Sequence, residues 1–435
     1  LLVRDEAVRR VIRATGVMGG AKVVSALLHL AGLALAGRIL GPQEFGILIL
    51  IRGFAQAASG IAKFQSWQAV IHYGAPALHR QDRQQMADIL TFTVVLDSAT
   101  GVAAMLGSML IAPWLAPHVG IDANAIWLTV LYCIAIPTMS AASPTGVLRL
   151  ADRFDQLGVQ ALITPIVRFG AMGIAALLGA GFAGIVVAWL VSDLVGDLYL
   201  WFAAAHELRR TGMVKGARAD PRRMLATPGI WRFVLTTNAN ATLDLAWGPL
   251  SNLIVGGLAG PVAAGAYRVA QTVIDGFARP GEIATRSLYP ELAKLRAQGS
   301  GDRVWSIIKR ASMWSVVTGL LFAGLLALIA PDMIRLLMGD RFALTGMMLR
   351  IMAVALIPMI AAFPFESTLF AQGAVGSALS ARLVAGIGGT ALIIMGIMIH
   401  GIVGAAWGYV AAMLLLGAGQ GIALLRVYER RHRTG

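Results

Sequence analysis

One cysteine, Cys133, is all that the chain carries in 435 residues. No disulfide can form within one chain, and the thiol, set in an apolar run, reads as a small buried hydrophobe. Charge is also scarce: 13% of residues are charged, where a soluble domain has about one quarter. Acid is scarcer than base, with 22 Asp and Glu against 36 Lys and Arg and a net charge of +14. No Walker A sequence occurs, which argues against ATP hydrolysis on this chain. The histidines His29, His72, His79, His118, His206, His400 and His432 are scattered without metal-ligand spacing, so neither a metal nor a cofactor is expected.

What is present is apolar. Hydrophobic residues make up 57% of the chain, and mean hydropathy is +0.74. Stretches of about 20 apolar residues recur, each long enough to cross a bilayer as a helix. The sequence therefore predicts an all-α polytopic membrane protein. No cleavable signal peptide is evident, and the basic start from Arg4 to Arg13 leads into a first span expected to act as its own insertion signal.

About twelve spans are expected. They run Val17 to Ile39, Phe45 to Ile71, Ile89 to Leu110, Ala125 to Leu148, Leu157 to Leu178 and Phe182 to Ala204. A basic linker, Arg209 to Arg223, precedes Ile230 to Gly256 and Ala264 to Leu288. After the polar connection Glu291 to Arg310 come Ser312 to Ile329, Leu344 to Phe363, Ala378 to Ile399 and Ile402 to Leu425. The expected division is a bundle over 1–208, a linker over 209–228 and a second bundle over 229–435. The polar, Gln-rich segment Pro76 to Ala87 reads as an interfacial helix. Pro137, Pro144, Pro165 and Pro358 are candidate kinks.

Basic residues gather in alternate connections. Arg4 to Arg13, Arg80 and Arg83, Arg149 and Arg153, the linker, Lys294 to Arg310, Arg382 and the tail from Arg426 fall on one side. Only Arg38, Arg335 and Arg341 fall on the other. The positive-inside rule explains the net charge without nucleic acid and places both termini in the cytoplasm.

An internal repeat organises the chain. Gly41, Pro42 and Gly46 align with Gly260, Pro261 and Gly265 at one constant offset of about half the length, as in transporters built from two related halves. Each copy reads as a tight turn between apolar runs.

Ionisable residues within spans usually face a cavity or a partner. Arg52, Gln56, Ser59 and Lys63 share one face of the second span, and Arg268, Asp275, Arg279, Glu282 and Arg286 share one face of the eighth. The repeat superposes Arg52 on Gln271, Gln56 on Asp275 and Lys63 on Glu282. These faces predict a wet cavity between the halves, with Arg52 and Arg268 deep in it and without an obvious local acid. Lys22 and Arg168 are further basic candidates, although long basic side chains near helix ends also snorkel. In the eighth span, Asp275 with Arg279 and Glu282 with Arg286 have the spacing of intrahelical pairs, the structural alternative. Among the acids Asp97, Asp193, Asp197, Asp244 and Glu366, Asp193 and Asp197 stand four apart on one face. Two such carboxylates suit ion coupling, as does Asp244; the alternative for Asp193 and Asp197 is pairing with a base such as Arg168 on another helix.

The chain resembles the polysaccharide transporter family, the Wzx-type flippases of the superfamily that includes multidrug and toxic-compound extruders. The marks are Gly37 to Gly46, Ser251 to Gly256 with Gly265-Ala266-Tyr267, Ser287 to Leu295, Ile334 to Gly339, and Leu349-Arg350-Ile351. The resemblance implies two six-helix bundles around a central cavity. It implies translocation of undecaprenyl-diphosphate-linked oligosaccharides across the bacterial inner membrane by alternating access, and no enzymatic step. Implied partners are that lipid-linked substrate, membrane lipid, and a polysaccharide polymerase with other assembly proteins. Arg52, Arg268, Arg168 and Lys22 would meet the anionic head. Ser251-Asn252 stands where many relatives have an acidic-basic pair, so an ion-coupling role at that position does not carry over. The rivals are a drug extruder or a lipid II flippase of the same superfamily, and a membrane-embedded glycosyltransferase or polymerase. The last usually needs larger external loops than this chain provides.

Overall fold

The computed structural model of the chain describes residues 6–218, 220, 223, 229–242, 248–278 and 301–434. Among them every regular element is a helix. The helices are α1 (Glu6–Ala62), α2 (Ser66–His79), α3 (Arg83–His118), α4 (Ile126–Tyr132), α5 (Ile136–Ser140), α6 (Ser143–Leu150), α7 (Phe154–Leu177) and α8 (Gly181–Thr211). There follow α9 (Ile230–Thr242), α10 (Pro249–Ala259), α11 over 261–278, α12 (Gly301–Met338), α13 (Ala343–Met352), α14 (Leu356–Ala371) and α15 (Val375–Thr434). Eight helical stretches among the described residues are long and apolar enough to cross a membrane. Two of them are interrupted by a glycine with non-helical dihedral angles, α1 at Gly41 and α15 at Gly401. The expected seventh and eighth spans, Ile230 to Gly256 and Ala264 to Leu288, lie partly outside the described residues.

Contacts group the chain into two packing units. Unit 1 is Leu1–Leu40 with Ile51–Leu245, and unit 2 is Gly41–Leu50 with Ala246–Gly435. In unit 1, α7 packs along α8, α2 lies against α3 and α6, and α3 against α5. In unit 2, α12 packs on α13 and α14, and α15 on α10, α13 and α14.

The repeat is written in the backbone more fully than in the side chains. Gly41 has φ 73 and ψ 175, and Gly260 has φ 86 and ψ 171. That region is open essentially to glycine alone. Gly120 and Gly339 also share positive φ, at the same offset of 219 residues, from 41 to 260 and from 120 to 339. A 3-10 turn at Cys133–Ala135 between α4 and α5 recurs at Ala353–Ala355 between α13 and α14. The left-handed turn at Asp152 recurs at Gly373, and that at Gly179 recurs at Gly401. The offset has then grown to 222, from 179 to 401.

Gly41 would have no neighbour within 4 Å of an added Cβ, so replacing it tests backbone strain alone. Gly41→Ala is expected to cost about 1–3 kcal/mol and to lower the melting temperature of the purified protein. An unchanged melting curve would show that this turn is not held at positive φ.

The candidate kinks fall at interruptions, with one exception. Pro137 and Pro358 each follow a 3-10 turn, and Pro144 opens α6. Proline at 137 cannot donate to the carbonyl of Cys133, so the helix tightens there. Pro165 sits inside the continuous helix α7. The expected interfacial helix over 76–87 is not formed. Pro76 to His79 complete α2, a turn with positive φ at Gln81 follows, and α3 begins at Arg83. The Asp82 side chain caps α3 by accepting from the Gln85 amide at 2.9 Å, which favours a sharp turn over a separate helix.

Candidate functional site

Unit 1 carries a buried ionic cluster drawn from four helices and centred on Asp193 of α8, which is 4% exposed. Arg52 of α1 donates through Nε to Asp193 Oδ2 at 2.9 Å and through Nη2 to Oδ1 at 3.3 Å. Arg168 of α7 donates through Nη2 to Asp193 Oδ1 at 2.5 Å. The Tyr132 hydroxyl, at the end of α4, donates to Oδ2 at 2.6 Å.

Arg168 is held on every side. Its Nε donates to Ser192 Oγ at 3.0 Å, and its Nη1 lies 3.3 Å from His29 Nδ1. The Trp189 ring lies one turn before Asp193 on α8. It is 4.4 Å from the Arg168 guanidinium and 5.7 Å from that of Arg52, both within cation–π range. Trp189 is itself fixed by donating Nε1–H to the Met172 sulfur at 3.2 Å.

Two guanidiniums around one carboxylate leave one positive charge in surroundings where charge is costly. Arg52, with no obvious local acid in the sequence, finds its partner 141 residues away on another helix. For Asp193 the pairing alternative is the one realised. Asp197, one turn further along α8, is half-buried beside the Thr138 hydroxyl, with Lys63 and Asp193 as charged neighbours. Lys63 falls just past the end of α1 and donates to the Met139 carbonyl at 3.2 Å. Gln56 is half-buried on α1, one turn beyond Arg52.

Asp97 has a different task. Its carboxylate, on α3 and 1% exposed, accepts from the amides of Ala142 and Ser143 at 2.9 and 2.8 Å and from the Ser143 hydroxyl at 2.6 Å. It also accepts from Ser66, the first residue of α2, at 2.5 Å. A carboxylate from one helix thus caps the start of a second and tethers a third, where N-terminal amides favour negative charge.

In unit 2 the polar positions are of another character. Arg268 and Asp275 lie half-buried on α11, and Asn252 and Gln271 are buried. The rings of Tyr267 and Tyr409, both buried, meet edge-on at 6.0 Å. Carrying the repeat through its drifting offset puts Gln271 at the place of Arg52, Thr390 at that of Arg168 and Leu415 at that of Asp193. None of these three places is ionisable. Asp244, Arg279, Glu282, Arg286 and the segment Ser287 to Leu295 lie outside the described residues, as does the Lys22 side chain on α1.

Loop charges are partly compensated as well. Glu207, near the end of α8, accepts from Arg153 at 2.9 Å and from Arg210 at 2.6 Å, and Arg153 also pairs with Asp155 at 2.8 Å. Gln84 of α3 bonds both the carbonyl and the amide of Arg218, at 2.8 and 3.2 Å, fixing the start of the linker to α3.

Comparison with known proteins accords with this architecture. A family model described as "Polysaccharide biosynthesis protein" matches residues 35–346. The inner membrane protein YghQ of Escherichia coli strain K12 is 35% identical over 341 residues, covering 78% of this chain and 95% of that protein. A multidrug resistance MATE family transporter of the MOP superfamily, solved in an inward-facing conformation, is similar with a TM-score of 0.78 at 15% identity, over 94% of this chain and 96% of that one. A eukaryotic MATE transporter is similar with a TM-score of 0.62 at 12% identity, over 98% and 100%. At such identities the likeness is one of fold.

Proposed function

The chain belongs to the family of polysaccharide biosynthesis proteins, and from that premise we propose that it is a flippase for an undecaprenyl-diphosphate-linked oligosaccharide. Family and fold make it a multi-pass membrane transporter. The substrate class is our reading. It is supported by one observation above all: the buried ionic cluster of unit 1 holds one more cation than anion. A diphosphate linked to sugar is an anion that must leave water to cross, and guanidinium forks match phosphate oxygens in pairs. An extruder of cationic drugs would be better served by the opposite excess.

On this reading the two halves work by alternating access, in the bacterial inner membrane with both termini in the cytoplasm. The sugar and diphosphate cross while the lipid tail stays in the bilayer. Arg52 meets the head group while Arg168 holds Asp193 beside it, and Arg268, Gln56, Lys63 and Asp275 are further polar positions. Asp193 holds the two arginines, and Asp197, one turn further along α8, is the carboxylate we assign to ion coupling.

The test is complementation of a bacterial strain lacking its own O-unit flippase, with membrane levels followed by immunoblot. Wild type is expected to restore surface polysaccharide. Arg52→Ala is expected to lower it about tenfold or more, the scale of one lost charge-assisted contact. A well-expressed Arg52→Ala protein that exports at the wild-type rate would refute a phosphate-binding role for this side chain.

A further inference from the structure

The two arginines on Asp193 are not equivalent. Arg168 is 2% exposed and spends its donors on Ser192, His29 and Asp193. Arg52 is 14% exposed, and its hydrogen bonds at 2.9 and 3.3 Å go to the Asp193 carboxylate. Asp193 needs only one of these cations. With Arg168 on Oδ1 and Tyr132 on Oδ2, both of its oxygens keep a partner after Arg52 departs. In the second half the corresponding places hold Gln271, Thr390 and Leu415, none of them ionisable.

We propose that Asp193 is a parking site for Arg52. Without substrate, the carboxylate occupies the guanidinium fork that a phosphate group would take. When an anionic phosphate or diphosphate arrives, Arg52 leaves Asp193 for the phosphate oxygens, and Arg168 with Tyr132 keeps the carboxylate in place. On release Arg52 returns. Two charge-assisted hydrogen bonds are exchanged for two others, so the fork is never left without an anion in the membrane interior. Asp193 is then a positioning residue, which weakens phosphate binding and speeds release. A cation parked for 90–99% of the time binds its ligand about 10–100-fold more weakly than one that is always available. This inference rests on the anionic-substrate reading above.

The experiment uses the full chain in nanodiscs of zwitterionic lipid, with undecaprenyl diphosphate and inorganic diphosphate as probes. Two variants unpark Arg52. Asp193→Asn does so directly but strips Arg168 of its counterion. Asp193→Asn with Arg168→Gln removes both charges and keeps the buried balance, which safeguards folding. Each is expected to bind undecaprenyl diphosphate about tenfold or more tightly than wild type. Adding Arg52→Ala is expected to erase the gain, and export is expected to fall despite tighter binding. A gain that appears only in nanodiscs containing phosphatidylglycerol supports parking with a phospholipid head group as occupant. Unchanged or weaker binding of every phosphate probe in both variants overturns the proposal. If wild type complements a flippase-deficient strain while the variants bind no more tightly, parking fails and the flippase reading stands. Tighter binding without complementation by wild type is the reverse case.

Discussion

Gly46→Leu is expected to leave almost no folded protein to extract from membranes. The reason lies in how the two copies of the glycine-proline turn meet within unit 2. A Cβ on Gly46 would run into the Pro261 carbonyl. A Cβ on Gly265 would lie 3.0 Å from the Phe45 ring and 3.1 Å from the Gly46 Cα. Each glycine of the repeat therefore makes room for the other copy, and Phe45 is locked further by edge-on contact with Phe342 at 5.8 Å. Backbone cannot rotate aside as a side chain can. Alanine at position 46 should cost about 1–3 kcal/mol by forcing the helices apart, and leucine should exceed what the fold tolerates. Yield of monodisperse protein on size-exclusion chromatography and its melting temperature are the readouts. Gly107→Ala, where nothing lies within 4 Å, should stay within about 0.5 kcal/mol of wild type. A Gly46→Leu protein that melts normally would mean the two turns do not touch.

Asp97→Ala should be nearly as damaging, for an electrostatic rather than a steric reason. Four donors converge on this carboxylate, two of them backbone amides at the start of α6. Removing it buries amides that have no other helical partner. Each orphaned donor costs about 1–3 kcal/mol, so a total near 4 kcal/mol is reasonable. Asp97→Asn should fall between, because its amide keeps one acceptor oxygen but presents hydrogens to a donor-rich site. Beyond a lower melting temperature, hydrogen exchange should accelerate over Ser143 to Leu150 in Asp97→Ala while α7 keeps its protection. Uniform exchange across unit 1 would contradict a local capping role.

The sequence made the membrane class legible because apolar runs of span length have few other uses. It also made the repeat visible at Gly41 and Gly260, where the conformation excludes other residues. The rest of the repeat was hidden, for two reasons. Its register slips from 219 to 222 along the chain, so a constant offset loses it. Equivalent turns also use different residues, Asp152 in one half and Gly373 in the other. The acids and bases of the candidate site could be picked out one at a time, since charge inside a span is rare. Arg168 could be named as a candidate partner for Asp193, but the shared partner of Arg52 and the role of Tyr132 could not. Spacing along one helix finds pairs three or four residues apart, whereas Arg52, Tyr132, Arg168 and Asp193 come from α1, α4, α7 and α8. Asp97 shows the same gap. Nothing in its neighbourhood in sequence announces a cap on α6, and only the tertiary fold supplies it.

Cys133 has a practical consequence. It is fully buried in the 3-10 turn after α4, and its thiol donates to the Thr129 carbonyl at 3.2 Å. Water-borne maleimides and methanethiosulfonates should pass it by while the protein is folded. These 435 residues, with their one cysteine, are therefore already a silent background for spectroscopy. A nitroxide or fluorophore on any introduced surface cysteine would report from that place alone, and pairs of labels could follow the transport cycle by distance without first rebuilding the protein.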